Sequence, residues 1–386
     1  MARLPLLLLL LLLGLAAAAA AGETEKGASR PPATALFVLG DSTVSCATTT
    51  LSLNLSSPAA SLAGPCLFPS ARRLLPGLLA ARMGLPPPPL IAALNGTAAE
   101  AAGGVNFGGL DGERGGVFRV GAVGQQLRLA AETLQLLRLE APAAAAPRGA
   151  AEAAAGAVFV LSFGADAYAR LLARGPGADA AAPKHGRRGF ARLLAGRIAR
   201  AVSELYEADV RRVAVMGVAP LGCAPRVMWE GLHLPGAGAG GGGGAGGCVE
   251  EANELIQGYN TRVAAQLDAL RPQLPGADIV FCDVYKGMME VISNPAKYGF
   301  EEAREACCGL GPFKATMGCF SKEMACRSPE RHVWWDLYGP TEAVDGLLVN
   351  WSWSSPPPPP AAASGSGVMS ICSPVTLRQL AGGSPE

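Results

Sequence analysis

The sequence predicts an α/β fold: a three-layer α/β/α sandwich around a central, mainly parallel β-sheet. Short apolar runs alternate along the chain with longer stretches in which apolar residues recur every three or four positions. The first pattern is typical of buried strands and the second of amphipathic helices. Strands that alternate with helices favour a parallel sheet with helices on both faces. Right-handed crossovers then complete the sandwich.

Four short apolar runs are predicted to form the strands, in the order Ala35–Leu39, Val158–Phe163, Val213–Met216 and Ile279–Cys282. Three helices are predicted between and after them, over about Gln126–Leu139, Phe190–Tyr206 and Val249–Leu270. In the second of these helices Leu194, Ile198 and Val202 share one face.

The carboxyl ends of the strands are the expected place for a functional site, because ligands of open α/β sheets bind there. Gly40-Asp41-Ser42 follows the first apolar run, and Gly164-Ala165-Asp166 follows the second. The segment that contains Asp336 also follows an apolar run. The sequence therefore predicts that these three segments meet at one edge of the sheet.

The N-terminus has the pattern of a secretory signal peptide. Arg3 precedes an apolar run over Leu4–Leu15, and small residues continue to Ala21. The apolar part is shorter than the roughly 20 residues that a membrane span needs, so residues 1–21 are predicted to be a signal peptide. Residues 22–386 are predicted to form a single domain, with no transmembrane segment, because no long polar linker divides them.

The charge balance argues against a nucleic-acid-binding protein. The 32 basic and 31 acidic side chains nearly cancel, which leaves no electrostatic footprint for nucleic acid or an anionic membrane. Three sequons, at Asn54, Asn95 and Asn350, are candidate glycosylation sites and fit a secreted protein. The predicted location is therefore extracellular or in a cell wall.

The ten cysteines favour disulfides over a metal site, since an even count is usual in secreted chains. Cys223 and Cys248 bracket a glycine-rich run over Gly236–Gly247, which is predicted to be a mobile loop that this bridge would close. The remaining cysteines are assigned by spacing: two bridges within Cys307, Cys308, Cys319 and Cys326, one between Cys46 and Cys66, and either a bridge or free thiols at Cys282 and Cys372. No metal or other cofactor is predicted.

Ser42 is a candidate nucleophile. A serine on a tight turn after a buried strand is exposed at the sheet edge, where its hydroxyl can attack a carbonyl carbon. Its own backbone N–H can help to hold the oxyanion that forms. The tripeptide Gly40-Asp41-Ser42 is weak evidence by itself, because turns commonly contain these residue types.

Six segments together resemble the plant GDSL-type (SGNH-hydrolase) esterases and lipases. The matching blocks occur in the family's order, namely Phe37–Val44, Gly104–Phe107, Gly217–Cys223, Cys248–Asn253, Ala306–Gly309 and Asp336–Ala343. The resemblance implies the SGNH-hydrolase fold, a flavodoxin-like variant of the predicted sandwich. It also implies hydrolysis of carboxylic esters by a Ser-His-Asp triad.

The resemblance implies roles for particular residues, and the catalytic set is degenerate. Ser42 matches the nucleophile and Asp336 the triad acid, but Gly339 stands where the family has its histidine. Ser42 and Gly109 match or adjoin oxyanion-hole positions. Asp166 stands where the family has an asparagine donor, and an ionised carboxylate can only accept hydrogen bonds.

None of the three histidines lies in a matching motif. If the segment around His332 is a strand, His332 and Asp336 share a face but lie about 13 Å apart, so His332 is predicted to be a packing residue. His185 and His233 lie in loop-like stretches and are predicted to be at the surface. The sequence therefore offers no replacement base.

Three functions remain open at this point. The first is a secreted ester hydrolase that is weak or inactive because its base is missing at Gly339. The second is a non-catalytic binding module for an acyl ester or a cell-wall glycan, and the third is an acyltransferase that uses the same serine. The expected partner is a small-molecule or lipid ester, including acyl esters of the cell wall. The sequence does not predict an oligomeric state.

Overall fold

A computed structural model describes residues 31–45, 74–108, 121–140, 154–172, 186–233, 247–319, 322–354 and 369–383. Several predictions fall outside these residues. They are the signal peptide over 1–21, almost all of the glycine-rich loop, the oxyanion candidate Gly109, the sequon at Asn54, the histidine at 185, and the Cys46–Cys66 bridge.

The described residues contain a five-stranded, mainly parallel sheet. Its strands are β1 (Ala35–Gly40), β2 (Ala157–Ser162), β3 (Arg212–Met216), β4 (Asp278–Cys282) and, farther along the chain, β7 (Cys372–Ser373). They lie side by side in that order; β1 to β4 are parallel, and β7 is antiparallel to β4. The four predicted strands are thus confirmed, each within one residue of its predicted bounds.

The backbone at residues 103–107 runs parallel to β1 on its outer side. Leu36 N–H donates to the Gly103 carbonyl at 3.2 Å, and Phe107 N–H donates to the Val38 carbonyl at 2.8 Å. Gly104 is required here, because a Cβ at this position would lie 1.9 Å from the Leu36 carbonyl oxygen. If this segment is counted as the second strand in the chain, then β2, β3 and β4 become the third, fourth and fifth. In this count the parallel part of the sheet has the flavodoxin-like order 2-1-3-4-5.

Helices cover both faces of the sheet. In chain order they are α1 (Leu75–Met83), α2 (Ala98–Ala101), α3 (Gly121–Leu139), α4 (Ala165–Leu172), α5 (Gly186–Glu207), α6 (Pro225–His233), α7 (Glu250–Leu270), α8 (Val284–Ser293), α9 (Glu342–Trp353) and α10 (Leu377–Leu380). Helices α3, α5 and α7 include the three predicted ones, with α3 and α5 longer at their N-terminal ends. Within the described part of the chain, no helix combines the length and the apolarity of a membrane span.

Alternate residues of the strands build two separate cores. Phe37 and Phe159 point to one face, where their rings stack with centroids 4.8 Å apart, and they pack with buried residues of α3, α5 and α7. Val38 and Val160 point to the other face and pack with α1, α8, α9 and α10. Both faces of every parallel strand are therefore covered, which explains the continuous apolar runs.

A second, two-stranded sheet carries the segment that leads to Asp336. It pairs β5 (Glu302–Ala306) with β6 (His332–Trp334). The apolar run before Asp336 thus belongs to a strand of this second sheet and not to one of the main sheet. An apolar run marks a buried strand but does not say with which strand it pairs.

Four disulfides lie within the described residues. Cys223 is bonded to Cys248 with Cα atoms 4.3 Å apart, as predicted. The cysteine cluster forms two bridges, as predicted, and their connectivity, which the sequence left open, is Cys307–Cys326 and Cys308–Cys319. Cys282, the last residue of β4, is bonded to Cys372 of β7, which settles the alternative that the sequence left open.

Candidate active site

Ser42 lies in a turn immediately after β1. Gly40 makes this turn possible, because a Cβ at its position would lie 2.5 Å from the Ser162 carbonyl oxygen. Buried Gln126 of α3 holds both backbone polar groups of Gly40: Gly40 N–H donates to its Oε1 and its Nε2 donates to the Gly40 carbonyl, both at 2.8 Å. Helix α3 therefore holds the turn that presents Ser42 in place.

Asp41 anchors this turn to the end of β2. Its Oδ1 accepts hydrogen bonds from the N–H and hydroxyl of Thr43, at 3.2 and 2.8 Å. Its Oδ2 accepts from the N–H groups of Gly164 and Asp166, at 2.9 and 3.2 Å. Burial, together with the nearby Asp166 carboxylate, raises the pKa of Asp41 to about 7, while the hydrogen bonds from these donors act in the opposite direction.

Asp166 lies in the first turn of α4 and contacts Ser42 twice. The Ser42 hydroxyl donates a short hydrogen bond to Oδ1 of Asp166. The Ser42 backbone N–H donates to Oδ2 of the same carboxylate at 3.2 Å. Gly164, with φ of 123°, allows the tight entry into α4, because a Cβ there would lie 2.9 Å from Val218.

Asp336 is fully buried and orders the loop that contains Gly339. Its Oδ1 accepts hydrogen bonds from the N–H groups of Tyr338 and Gly339, at 3.1 and 2.8 Å. Trp335 N–H donates to the Gly339 carbonyl at 2.8 Å, which closes the turn. Gly339 is thereby held directly next to the carboxylate that matches the triad acid.

Ser42, Asp166 and Gly339 line one cleft at the carboxyl edge of the main sheet. The cleft is narrow, with a volume of about 70 Å³. Its other lining residues are mostly apolar and include Met216, Val218, Leu221, Val284, Met288, Tyr338 and Leu348. Burial raises the pKa of the Tyr338 phenol, so this side chain stays protonated at neutral pH.

The structure brings Ser42 and Asp166 together at the carboxyl edge of the main sheet, with Gly339 also lining the cleft and Asp336 next to it. Ser42 and Asp166 face each other directly, while Asp336 supports Gly339 from behind rather than lining the cleft. Gln126 was missed altogether, since nothing in the sequence distinguishes it from other polar residues of an amphipathic helix. Asp41 was seen only as part of the serine motif.

The structure does not bring His332 to this cleft. Its Nδ1 lies 3.1 Å from the Ser328 carbonyl and 3.6 Å from Cys326 Sγ, on the second sheet. The predicted packing role fits this position. His233 is the last residue of helix α6, so it does not lie in a loop. Its place at the surface stays a prediction.

On the far side of the cleft, a buried ion pair supports the segment next to Tyr338. Arg226 Nε donates to Glu230 Oε1 at 2.7 Å. The Arg226 guanidinium also donates to the carbonyls of Ala315 and Thr316, and its backbone N–H donates to the Leu337 carbonyl at 3.2 Å. These contacts tie α6 to the loop that presents Gly339.

The chain is similar to a known family model and to several plant proteins. The family model described as GDSL-like lipase/acylhydrolase matches residues 36–350. The chain is 32% identical over 203 residues to the Arabidopsis thaliana protein GDSL esterase/lipase EXL3, which covers 51% of this chain and 50% of that protein. It is 31% identical over 159 residues to GDSL esterase/lipase At1g71250 from the same plant, covering 41% and 40%.

The matched stretches thus span about half or less of the length of these curated relatives. The family model, in contrast, extends from β1 through almost all of α9 and includes Ser42, Asp166, Asp336 and Gly339. The chain therefore belongs to the family of GDSL-like lipases and acylhydrolases.

Proposed function

We propose that this protein is a secreted carboxylic-ester hydrolase of low activity, with Ser42 as its nucleophile. The observation that carries the proposal is the position of the Ser42 hydroxyl, which lines an apolar cleft and donates a hydrogen bond to a carboxylate. A nucleophilic serine needs such an acceptor for its proton. Membership of the GDSL family supports the reaction class.

The low activity is inferred from Gly339. In a Ser-His-Asp triad the imidazole takes the proton of the serine and is oriented by the acid. Here the Asp336 carboxylate is buried and bonded to the Gly339 N–H, but Gly339 has no side chain to orient. Loss of one triad member typically leaves about 10³- to 10⁴-fold catalysis over water, so slow turnover is expected.

The cleft suggests the kind of ester. Its walls are formed mainly by aliphatic side chains, among them Met216, Val218 and Leu348, which suit an apolar acyl chain. The proposed substrate is a small-molecule or lipid ester with an apolar acyl group, and an acyl ester of the cell wall fits this description.

Secretion is supported by the signal-like N-terminus and by the disulfides, which form and persist in oxidising compartments. Among the sequons, Asn95 is exposed at the surface, next to Glu100. Asn350 lies within α9, where its side chain accepts a hydrogen bond from Arg82, and Ser352 of the same sequon is buried. Asn95 is therefore the better candidate for glycosylation.

One observation favours a second function, a non-catalytic binding module. Asp166 Oδ2 accepts the Ser42 N–H, a group that can hold the oxyanion in serine hydrolases. A carboxylate at this place opposes the negative charge that develops on the carbonyl oxygen. If this effect dominates, the cleft binds an acyl ester or a glycan without cleaving it. An acyltransferase would need the same missing base.

Hydrolysis of short-chain p-nitrophenyl esters by the purified, secreted protein tests the proposal, with Ser42→Ala as the matched control. We expect slow hydrolysis that the substitution abolishes. Equal rates for the two proteins would exclude the esterase and leave the binding module. Rates comparable to a relative that retains the histidine would show that the site is not degenerate.

A further inference from the structure

We propose that Asp166 is the general base for Ser42 and so takes over the task of the missing imidazole. This inference rests on the proposed esterase function, for which it supplies the proton acceptor. A general base has to lie within hydrogen-bond reach of the proton that it removes. Among the described residues that line the cleft, Asp166 is the one whose carboxylate accepts the proton of the Ser42 hydroxyl.

Hydrogen bonds hold Asp166 in place at its backbone and at its carboxylate. Its backbone N–H donates to Asp41 Oδ2, which also accepts from Gly164 N–H. The carboxylate itself is held at both oxygens by Ser42. Asp166 lies in the first turn of α4. Its carboxylate is therefore positioned to accept the proton of the Ser42 hydroxyl.

Asp166 takes up a proton and returns it in both half-reactions. In acylation, Ser42 Oγ forms a bond to the carbonyl carbon, its proton passes to Asp166, and the carbonyl π pair moves onto oxygen. When the intermediate collapses, the bond to the leaving oxygen breaks and Asp166 returns the proton to it, which releases the alcohol. In deacylation, water attacks the acyl carbon while Asp166 takes one of its protons. The bond from that carbon to Ser42 Oγ then breaks, and Asp166 returns the proton to Ser42 Oγ.

The same transfer removes the conflict with the oxyanion. An ionised carboxylate next to the Ser42 N–H would repel the developing charge. Once Asp166 has accepted the serine proton, it is a neutral carboxylic acid with an O–H donor. Negative charge therefore leaves Asp166 in the same step in which it appears on the carbonyl oxygen. A neutral carboxyl that donates to an oxyanion is known catalytic chemistry.

Several titratable groups surround this pair. Asp41 contacts it from the end of β1, where its Oδ2 accepts the Asp166 N–H at 3.2 Å, and burial together with Asp166 raises the pKa of Asp41 to about 7. Tyr338 and Asp345 also line the cleft, and Asp336 accepts the Gly339 N–H behind it. Burial keeps Tyr338 protonated, since it raises the pKa of this phenol.

Asp166→Asn gives the sharpest test, because the two explanations of this residue predict opposite signs. If Asp166 is the base, the substitution lowers kcat for a short-chain p-nitrophenyl ester by about 100-fold or more, to the level of Ser42→Ala. If Asp166 only obstructs the oxyanion site, the amide restores a donor there and raises kcat. Asp268→Asn, a matched change in an exposed ion pair with Arg271, should leave the rate unchanged.

Two further measurements keep the test decisive. Asp166→Glu keeps a carboxylate, so it should retain more activity than Asp166→Asn at equal thermal stability. If Asp166→Asn fails to fold, the pH profile of Asp41→Asn decides, because in that variant the neighbouring carboxyl no longer titrates near pH 7. A carboxylate base sustains kcat at pH 5, whereas an imidazole base would lose it below about pH 6.5. Loss of kcat at pH 5 in a stably folded enzyme overturns the assignment.

The outcome that would overturn Asp166 as the base differs from the outcome that would overturn the esterase proposal. Activity that depends on Ser42 but stays equal or rises in Asp166→Asn would overturn the base and leave the esterase standing. Wild-type rates no higher than those of Ser42→Ala would remove both.

Discussion

Gln126 binds both backbone polar groups of Gly40, two residues before the nucleophile, although the two residues are 86 positions apart in the chain. The pair is buried, so neither Gly40 group has water as an alternative partner. A strand end and a helix of the outer layer are thereby joined at the point where the chain turns towards Ser42.

Gln126→Leu should therefore destabilise the protein and disorder the nucleophile turn. It leaves the N–H and carbonyl of Gly40 buried without partners, which costs roughly 2–4 kcal/mol. Urea unfolding measures the loss, and ester hydrolysis should fall with it. Gln257→Leu, at an exposed site that contacts Tyr285, serves as the control and should change the free energy of unfolding by much less.

The second prediction concerns Asp41 and the pH dependence of stability. Its pKa is raised from 3.8 to about 7 in the folded protein, mainly by burial and by Asp166. A raised pKa means that the protonated form is favoured in the fold, so the contribution to stability is full below about pH 4 and is lost as the pH rises through about 7. Its size is on the order of a few kcal/mol.

Thermal or urea unfolding between pH 4 and pH 8 tests this relation. The free energy of unfolding of the wild type should fall with rising pH by more than that of Asp41→Asn, and the difference between the two isolates Asp41 from all other groups. Parallel curves for the two proteins would show that Asp41 has an ordinary pKa.

The third prediction is that Gly339→His restores part of the triad. The new side chain would stand next to the buried Asp336 carboxylate, which already accepts the Gly339 N–H at 2.8 Å. Alone, the substitution should raise ester hydrolysis only slightly, because Asp166 still places a carboxylate at the Ser42 N–H.

Adding Asp166→Asn to Gly339→His should raise the rate further. With an imidazole as base, the carboxylate is no longer needed, and an amide donor at the oxyanion is worth about 3 kcal/mol. The two changes act on one transition state, so their effects should be more than additive. A double variant no faster than Gly339→His alone would mean that Asp336 cannot orient an imidazole in this cleft.

The fourth prediction concerns the bridge between Cys223 and Cys248, whose Cα atoms lie 4.3 Å apart. It closes a loop with a sequence separation of 25, so replacing both residues by serine should cost roughly 3 kcal/mol. Differential scanning calorimetry measures the change. Peptide mapping without reduction should recover the two residues in one linked pair, and a free thiol at either position would contradict the assignment.

The strands and the main helices could be predicted because they depend on local patterns. Runs such as Val158–Leu161 are apolar at every position, since parallel strands are buried on both faces, and this property is visible in a few consecutive residues. The family blocks added the position of the nucleophile and of the missing base. The alternation of strands and helices then implied the sheet edge at which Ser42 and Asp166 meet.

The sequence by itself thus determined the fold class, the family, the candidate nucleophile Ser42 and the absence of a histidine at Gly339. Only the tertiary structure decided that Asp336 follows a strand of a second sheet, that Gln126 holds the nucleophile turn, and that Asp166, 124 residues from Ser42, contacts its hydroxyl. The physical reason is that side-chain patterns report burial along one element. Hydrogen bonds between distant segments depend on how the whole chain packs, which no local pattern contains.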